Sequence, residues 1–90
     1  MEVTITKKHT EGAHYMSNID CPLARAIIEL HPEYKGRIAV GGDDVQIYEF
    51  MRYSGPKSTY VFDEGSWTPT LMYQINEGKI DSVTVKLLEV

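Results

Sequence analysis

With a single cysteine, Cys21, the chain cannot close an internal disulfide, and nothing marks it for an oxidising compartment. Long apolar runs are missing too. The uninterrupted ones reach three residues, as at Ala26-Ile27-Ile28 and Ile38-Ala39-Val40, against the ~20 that a bilayer crossing needs. The opening Met1-Glu2-Val3-Thr4-Ile5 alternates, without the basic start and apolar stretch of a secretory signal. A cytoplasmic protein with no membrane contact is the expectation. Basic residues are also scarce: nine Lys and Arg face thirteen Asp and Glu, the net charge is −4, and only Lys7-Lys8 are adjacent. Nucleic-acid binding needs several cations converging on phosphate, so it is not expected.

What is present suits a packed interior. Hydrophobic residues make up 42% and charged residues 24% of the chain, the balance of a globular protein and not of a disordered one. Ninety residues hold one core, so residues 1–90 read as a single domain. A chain this short buries a little over ~60% of its unfolded surface, which commits most apolar side chains to that core and leaves little for a deep pocket.

Periodicity places the elements. Glu2–Lys7 alternates Val3 and Ile5 inward against Glu2, Thr4 and Thr6, a half-buried strand. Residues 8–19 are polar and read as a loop with room for one helical turn stopped by Gly12. Asp20-Cys21-Pro22-Leu23 starts a helix, with Asp20 as its cap and proline in the first turn. This helix runs to Leu30 or His31, and Leu23, Ala26, Ile27 and Leu30, joined by Cys21, Ala24 and Ile28, give it a wide apolar face. Arg37–Val40 and Val45–Phe50 form a hairpin around Gly41-Gly42-Asp43-Asp44. Thr59–Phe62 follows as a strand after the turn at Ser54-Gly55-Pro56-Lys57, and Asp63-Glu64-Gly65 ends it. Thr68-Pro69 caps a second helix with Leu71, Met72 and Ile75 on one face and Gly78 at its end. Asp81–Leu88 is the last strand, with Val83, Val85 and Leu87 inward. The order is β-α-β-β-β-α-β, an α+β domain with a mainly antiparallel sheet of about four strands and two short helices.

The strand Val3-Thr4-Ile5-Thr6, the run Cys21-Pro22-Leu23-Ala24-Arg25-Ala26-Ile27, the strand containing Ile38-Ala39-Val40-Gly41 and Glu77-Gly78 before the last strand stand together in one chain. In this the chain resembles a set of small uncharacterised proteins of bacteriophages and prophages, in which Cys-Pro-(Leu/Ile)-Ala-x-Ala opens the first helix. It departs from them in a shorter second helix and in lacking a proline before the final strand. The resemblance implies a phage-like accessory protein and carries no mechanism or site residue.

Chemistry-bearing residues are sparse. Cys21 in a helix first turn sits where the backbone field favours thiolate, and with His14 or His9 as base it would make a nucleophile. Against this, Cys21 shares a helical face with Ala24 and Ile28, where cysteine behaves as a small buried hydrophobe, and no orienting third residue is evident. His9 and His14 have the spacing of half a zinc site but lack the other half, so no metal is expected. Asp43-Asp44 and Asp63-Glu64 adjoin turn glycines, and Gly41-Gly42 lacks the spacing of a phosphate loop, so no cofactor is expected either. Aromatics, by contrast, gather in the second half. Tyr48, Phe50, Tyr60 and Phe62 form a candidate outward row, because a strand cannot point Tyr48 and Ile47, or Tyr60 and Val61, to one side. Such a patch would bind a protein partner or a second copy. The alternative packs these rings under the helices and turns Val45 and Ile47 outward. The reading favoured by the sequence is a small non-enzymatic interaction protein, and its rival is a Cys21-dependent enzyme or thiol redox switch.

Overall fold

The computed structural model describes residues 1–14, 17, 19–41, 44–50, 55–63 and 69–90. Thr68 and the turn residues Gly42, Asp43, Ser54, Glu64 and Gly65 lie outside them. The elements are β1 (Glu2–Thr6), α1 (Lys7–Thr10), α2 (Pro22–Leu30), a 3₁₀ turn (Pro32–Tyr34), β2 (Ile38–Val40), β3 (Asp44–Tyr48), β4 (Pro56–Phe62), α3 (Pro69–Asn76) and β5 (Ser82–Glu89). The protein is α+β, and its antiparallel sheet runs β1-β5-β4-β3-β2. That is five strands where about four were expected, and the added helical pieces are the single turn α1 and the 3₁₀ turn.

All five strands of the β-α-β-β-β-α-β order enter this one sheet because of how β5 is shared. Its first part pairs with β1, Glu2 opposite Lys86 through Thr6 opposite Ser82, while its last part pairs with β4, Tyr60 opposite Glu89 through Phe62 opposite Leu87. The long β5 therefore joins the N-terminal strand to the β2–β3–β4 meander, and the sheet curls about that joint.

Alternation sends one face of every strand to a common interior. Val3, Ile5, Ile38, Val40, Val45, Ile47, Val85 and Leu87 meet Leu23, Ala24, Ala26 and Ile27 of α2 and Met72 and Ile75 of α3. Leu30 departs from the expected buried face: one turn beyond Ile27, it runs past the sheet and is largely exposed. The helix ends otherwise follow the sequence. After α3, Gly78 takes φ +78°. Gly78 N–H then donates to Ile75 C=O and Lys79 N–H to Gln74 C=O, a closure that a Cβ at Gly78 would strain. At the start of α2 the cap is Cys21 and not Asp20. The thiol accepts from Ala24 N–H at 3.5 Å, because Arg25 has claimed the Asp20 carboxylate through Nε at 2.8 Å and Nη2 at 3.1 Å.

Candidate functional site

The thiol chemistry comes first. Cys21 is 5% exposed, and burial pushes its thiol above the ordinary range, outweighing the helix-start N–H groups that favour thiolate. His14 is exposed, with Nε2 at 3.8 Å from Asp20 Oδ2. His9 is engaged elsewhere: Thr6 N–H donates to its Nδ1 at 3.0 Å, which fixes the proton on Nε2, and Nε2–H donates to Glu29 at 3.1 Å. Glu29 also pairs with Lys8 at 2.9 Å, and the ammonium first, with the hydrogen bond from His9 after it, holds its carboxyl below the usual range. The third histidine, His31, lies beside Tyr34, ring centres 5.0 Å apart. The structure thus distributes the thiol and the three imidazoles over separate partners. Among the described residues no group of three or more metal-ligating side chains gathers, and no helix is long and apolar enough to cross a membrane.

The four aromatics divide between the two sides of the sheet. Tyr60 stands opposite Val45, so it and Phe62 share the interior side with Val45 and Ile47 and pack against the core. Tyr48 lies on the other side, its hydroxyl donating to Gln46 at 2.8 Å, and Phe50 beyond it is 73% exposed. Burial, joined by Glu89, pushes the Tyr60 hydroxyl up. Alternation within a strand is legible in sequence, but the phase between strands is set by register, which here includes an irregularity between Ile47 and Tyr48. The apolar residues that do line the outer side were not singled out by sequence: Val61 at 36% exposure, Leu88 at 54% and Val90 at 82%. Val61 and Leu88 are direct cross-strand partners. Around them the outer side carries Thr4, Thr84 and Thr59, with Thr4 and Thr84 hydroxyls 3.1 Å apart.

Helix α2 lies between the two free edges of the curled sheet, and a groove opens on each flank. On the β1 flank a groove of about 270 Å³ is bordered by Thr4, Thr6, His9, Ala26, Glu29 and Leu30. On the β2 flank a larger one of about 400 Å³ is bordered by Ile19, Asp20, Arg25, Ile28, Lys35 and Ile38. Arg25 shapes the second. Beyond its double bond to Asp20 it donates to Glu11 C=O at 2.8 Å and Gly12 C=O at 3.1 Å, drawing the connection between α1 and α2 onto the helix. Among the described residues neither groove brings a nucleophile, a base and an oxyanion site together. No family model matches the chain, and neither does any curated protein or solved structure.

Proposed function

We propose that this is a non-enzymatic interaction protein that binds another protein through the outer face of its sheet. The observation that carries the reading is the one-sided cover. α2 and α3 pack on the same face, while Val61, Leu88 and Val90 remain exposed on the other, beside Tyr48. Exposed apolar residues rimmed by threonines are the ordinary make-up of a protein contact. The occupant is a different protein and not a second copy, because stacking two chains of net charge −4 face to face is opposed by their repulsion. The buried, weakly acidic thiol supports this over the Cys21-dependent enzyme. The resemblance to phage and prophage proteins adds the setting: a cytoplasmic accessory protein acting on a host or phage partner.

The test is the pair Val61→Glu and Leu88→Glu, which alters only the solvent side of the sheet. Wild-type protein should sediment as a monomer, and whatever it captures from a bacterial lysate should be lost with the double variant and kept with Leu30→Glu, on the opposite side of the molecule. Identical capture by the double variant and the wild type would remove the reading. A dimer that the double variant dissolves would replace the foreign partner with a second copy.

A further inference from the structure

β1 ends on an imidazole. Thr6 N–H donates to Nδ1 of His9 at 3.0 Å, and Nε2–H of the same ring donates to Glu29 on α2 at 3.1 Å. One side chain, 5% exposed, thereby ties the end of the strand to α1 and α1 to α2. Thr6 and His9 stand at the cap and third positions of a capping box. Glutamate or glutamine ordinarily fills that third position, and either keeps an acceptor oxygen when the solution turns acid. Histidine does not, because uptake of a second proton makes both ring nitrogens donors.

The charges around the ring decide where that proton goes and what survives its arrival. Lys8 lies on the same turn and Glu29 on α2, and Glu2 of β1 borders the same groove as His9. α3, packed on α1, brings the neutral Asn76 to within 3.3 Å of the Thr10 hydroxyl. Lys8 first, and then His9, hold the Glu29 carboxyl below the usual range, so it stays ionised where imidazoles titrate, at about pH 6.5. The proton therefore adds at the Nδ1 lone pair, and the bond to Glu29 persists as a charge-assisted one. The bond to Thr6 is the one lost, since two donors then face each other. Thr6 Oγ1, 3.4 Å from Nδ1, is an acceptor within reach of the new N–H.

We propose that His9 is an acid-operated latch on the end of β1. At neutral pH Nδ1 accepts from Thr6 N–H and the strand end is closed. In acid Nδ1–H donates to Thr6 Oγ1 instead, α1 stays on α2 through Glu29, and Thr6 N–H is released beside the outward groups of Glu2 and Thr4. The change is local, because the main-chain bonds that join Val3 and Ile5 to β5 hold no titratable group. The groove on this flank supplies the path by which a proton reaches a buried ring. The latch is separate from the outer face of the sheet and does not depend on that face binding anything.

The test is a titration of the ¹⁵N-labelled full chain from about pH 8 to about pH 5, across the imidazole range. It follows the His9 ring nitrogens and the exchange protection of individual amides, corrected for intrinsic rates. As Nδ1 takes up its proton, protection at Thr6 should fall about tenfold, the size of one hydrogen bond, while Ile5 and Ile27 keep theirs. His9→Gln, whose side-chain oxygen accepts at either pH, should hold Thr6 protection level across the range with His14 and His31 still present. The comparison of Thr6 with Ile5 in the wild type stands without that variant. Four outcomes overturn the proposal: an Nδ1 that takes up no proton over the range, a protonated Nδ1 with Thr6 protection unchanged, Thr6 and Ile5 losing protection together, or the same fall at Thr6 in His9→Gln.

Discussion

The two ends of the sheet answer the same problem in opposite ways. At β1, Met1 and Leu87 exchange both main-chain bonds, at 2.8 and 2.7 Å, so Val3 and Ile5 face β5 while Glu2, Thr4 and Thr6 face outward. Glu2 and Thr4 are exposed, which leaves this edge open to solvent. Thr6 N–H, last in that series, is taken by His9 Nδ1, which closes the edge where α1 begins. At β2 the two residues whose backbone faces away from β3, Ile38 and Val40, are instead buried. An edge strand can thus be managed by wetting and capping it, as at β1, or by covering it with the rest of the chain, as at β2.

Helix α2 sustains this difference, and removing its anchor has the largest expected effect. Ile27 is fully buried between the sheet and the rest of α2. Ile27→Ala should cost about 2–5 kcal/mol in urea unfolding, and amide exchange at Ile38 should accelerate as the helix loosens over β2. A loss under about 1 kcal/mol would show that α2 does not keep that edge dry.

Next in size is the capped edge. His9→Ala leaves Thr6 N–H without an acceptor and should cost about 1–3 kcal/mol. Its effect on exchange should centre on Thr6 and α1 and leave Ile38 unchanged. If Ile38 and Thr6 respond together, the two edges are one cooperative unit, and the contrast between them has no energetic content.

Smaller again is the response of the wet edge to proline. Thr4 N–H points to solvent, so Thr4→Pro removes no ladder bond and should change stability by no more than about 1 kcal/mol. Val3→Pro removes a bond to β5 and a buried side chain, and should fall among the severe losses of about 3 kcal/mol or more. Equal effects at the two positions would mean that the assignment of inward and outward groups on β1 is reversed.

This contrast shows where sequence reasoning reaches. Leu23, Ala26 and Ile27 announce α2 by their spacing, Gly78 announces the end of α3, and the alternation in Val83, Val85 and Leu87 announces β5, because each signal is carried by neighbours along the chain. What was not legible depends on partners distant in sequence. The split of Tyr48 from Tyr60 follows from cross-strand register, and the exchange of Asp20 for Cys21 as cap follows from competition by Arg25. The dryness of Ile38 could not be read at all, because it arises from a helix laid over a strand and not from either one alone.

The dry side also holds the thiol. Cys21 starts α2 next to Asp20, on the flank of the β2 groove, and burial raises its pKa. The folded state therefore favours the protonated thiol. Its contribution is complete below the ordinary thiol value of about 8.5 and declines as pH rises beyond it, since only the unfolded chain ionises freely there. Between neutral and alkaline pH, wild-type protein should consequently lose more urea resistance than Cys21→Ala. Tyr60, also raised by burial, adds an alkaline loss of its own, but it is present in both proteins and cancels in the difference. Iodoacetamide should modify Cys21 only as fast as the region opens, and an Ile27→Ala background should speed the reaction. Rapid labelling below neutral pH in the folded wild type would mean an accessible thiolate, which would place water on the buried flank of α2 and restore Cys21 as a working nucleophile.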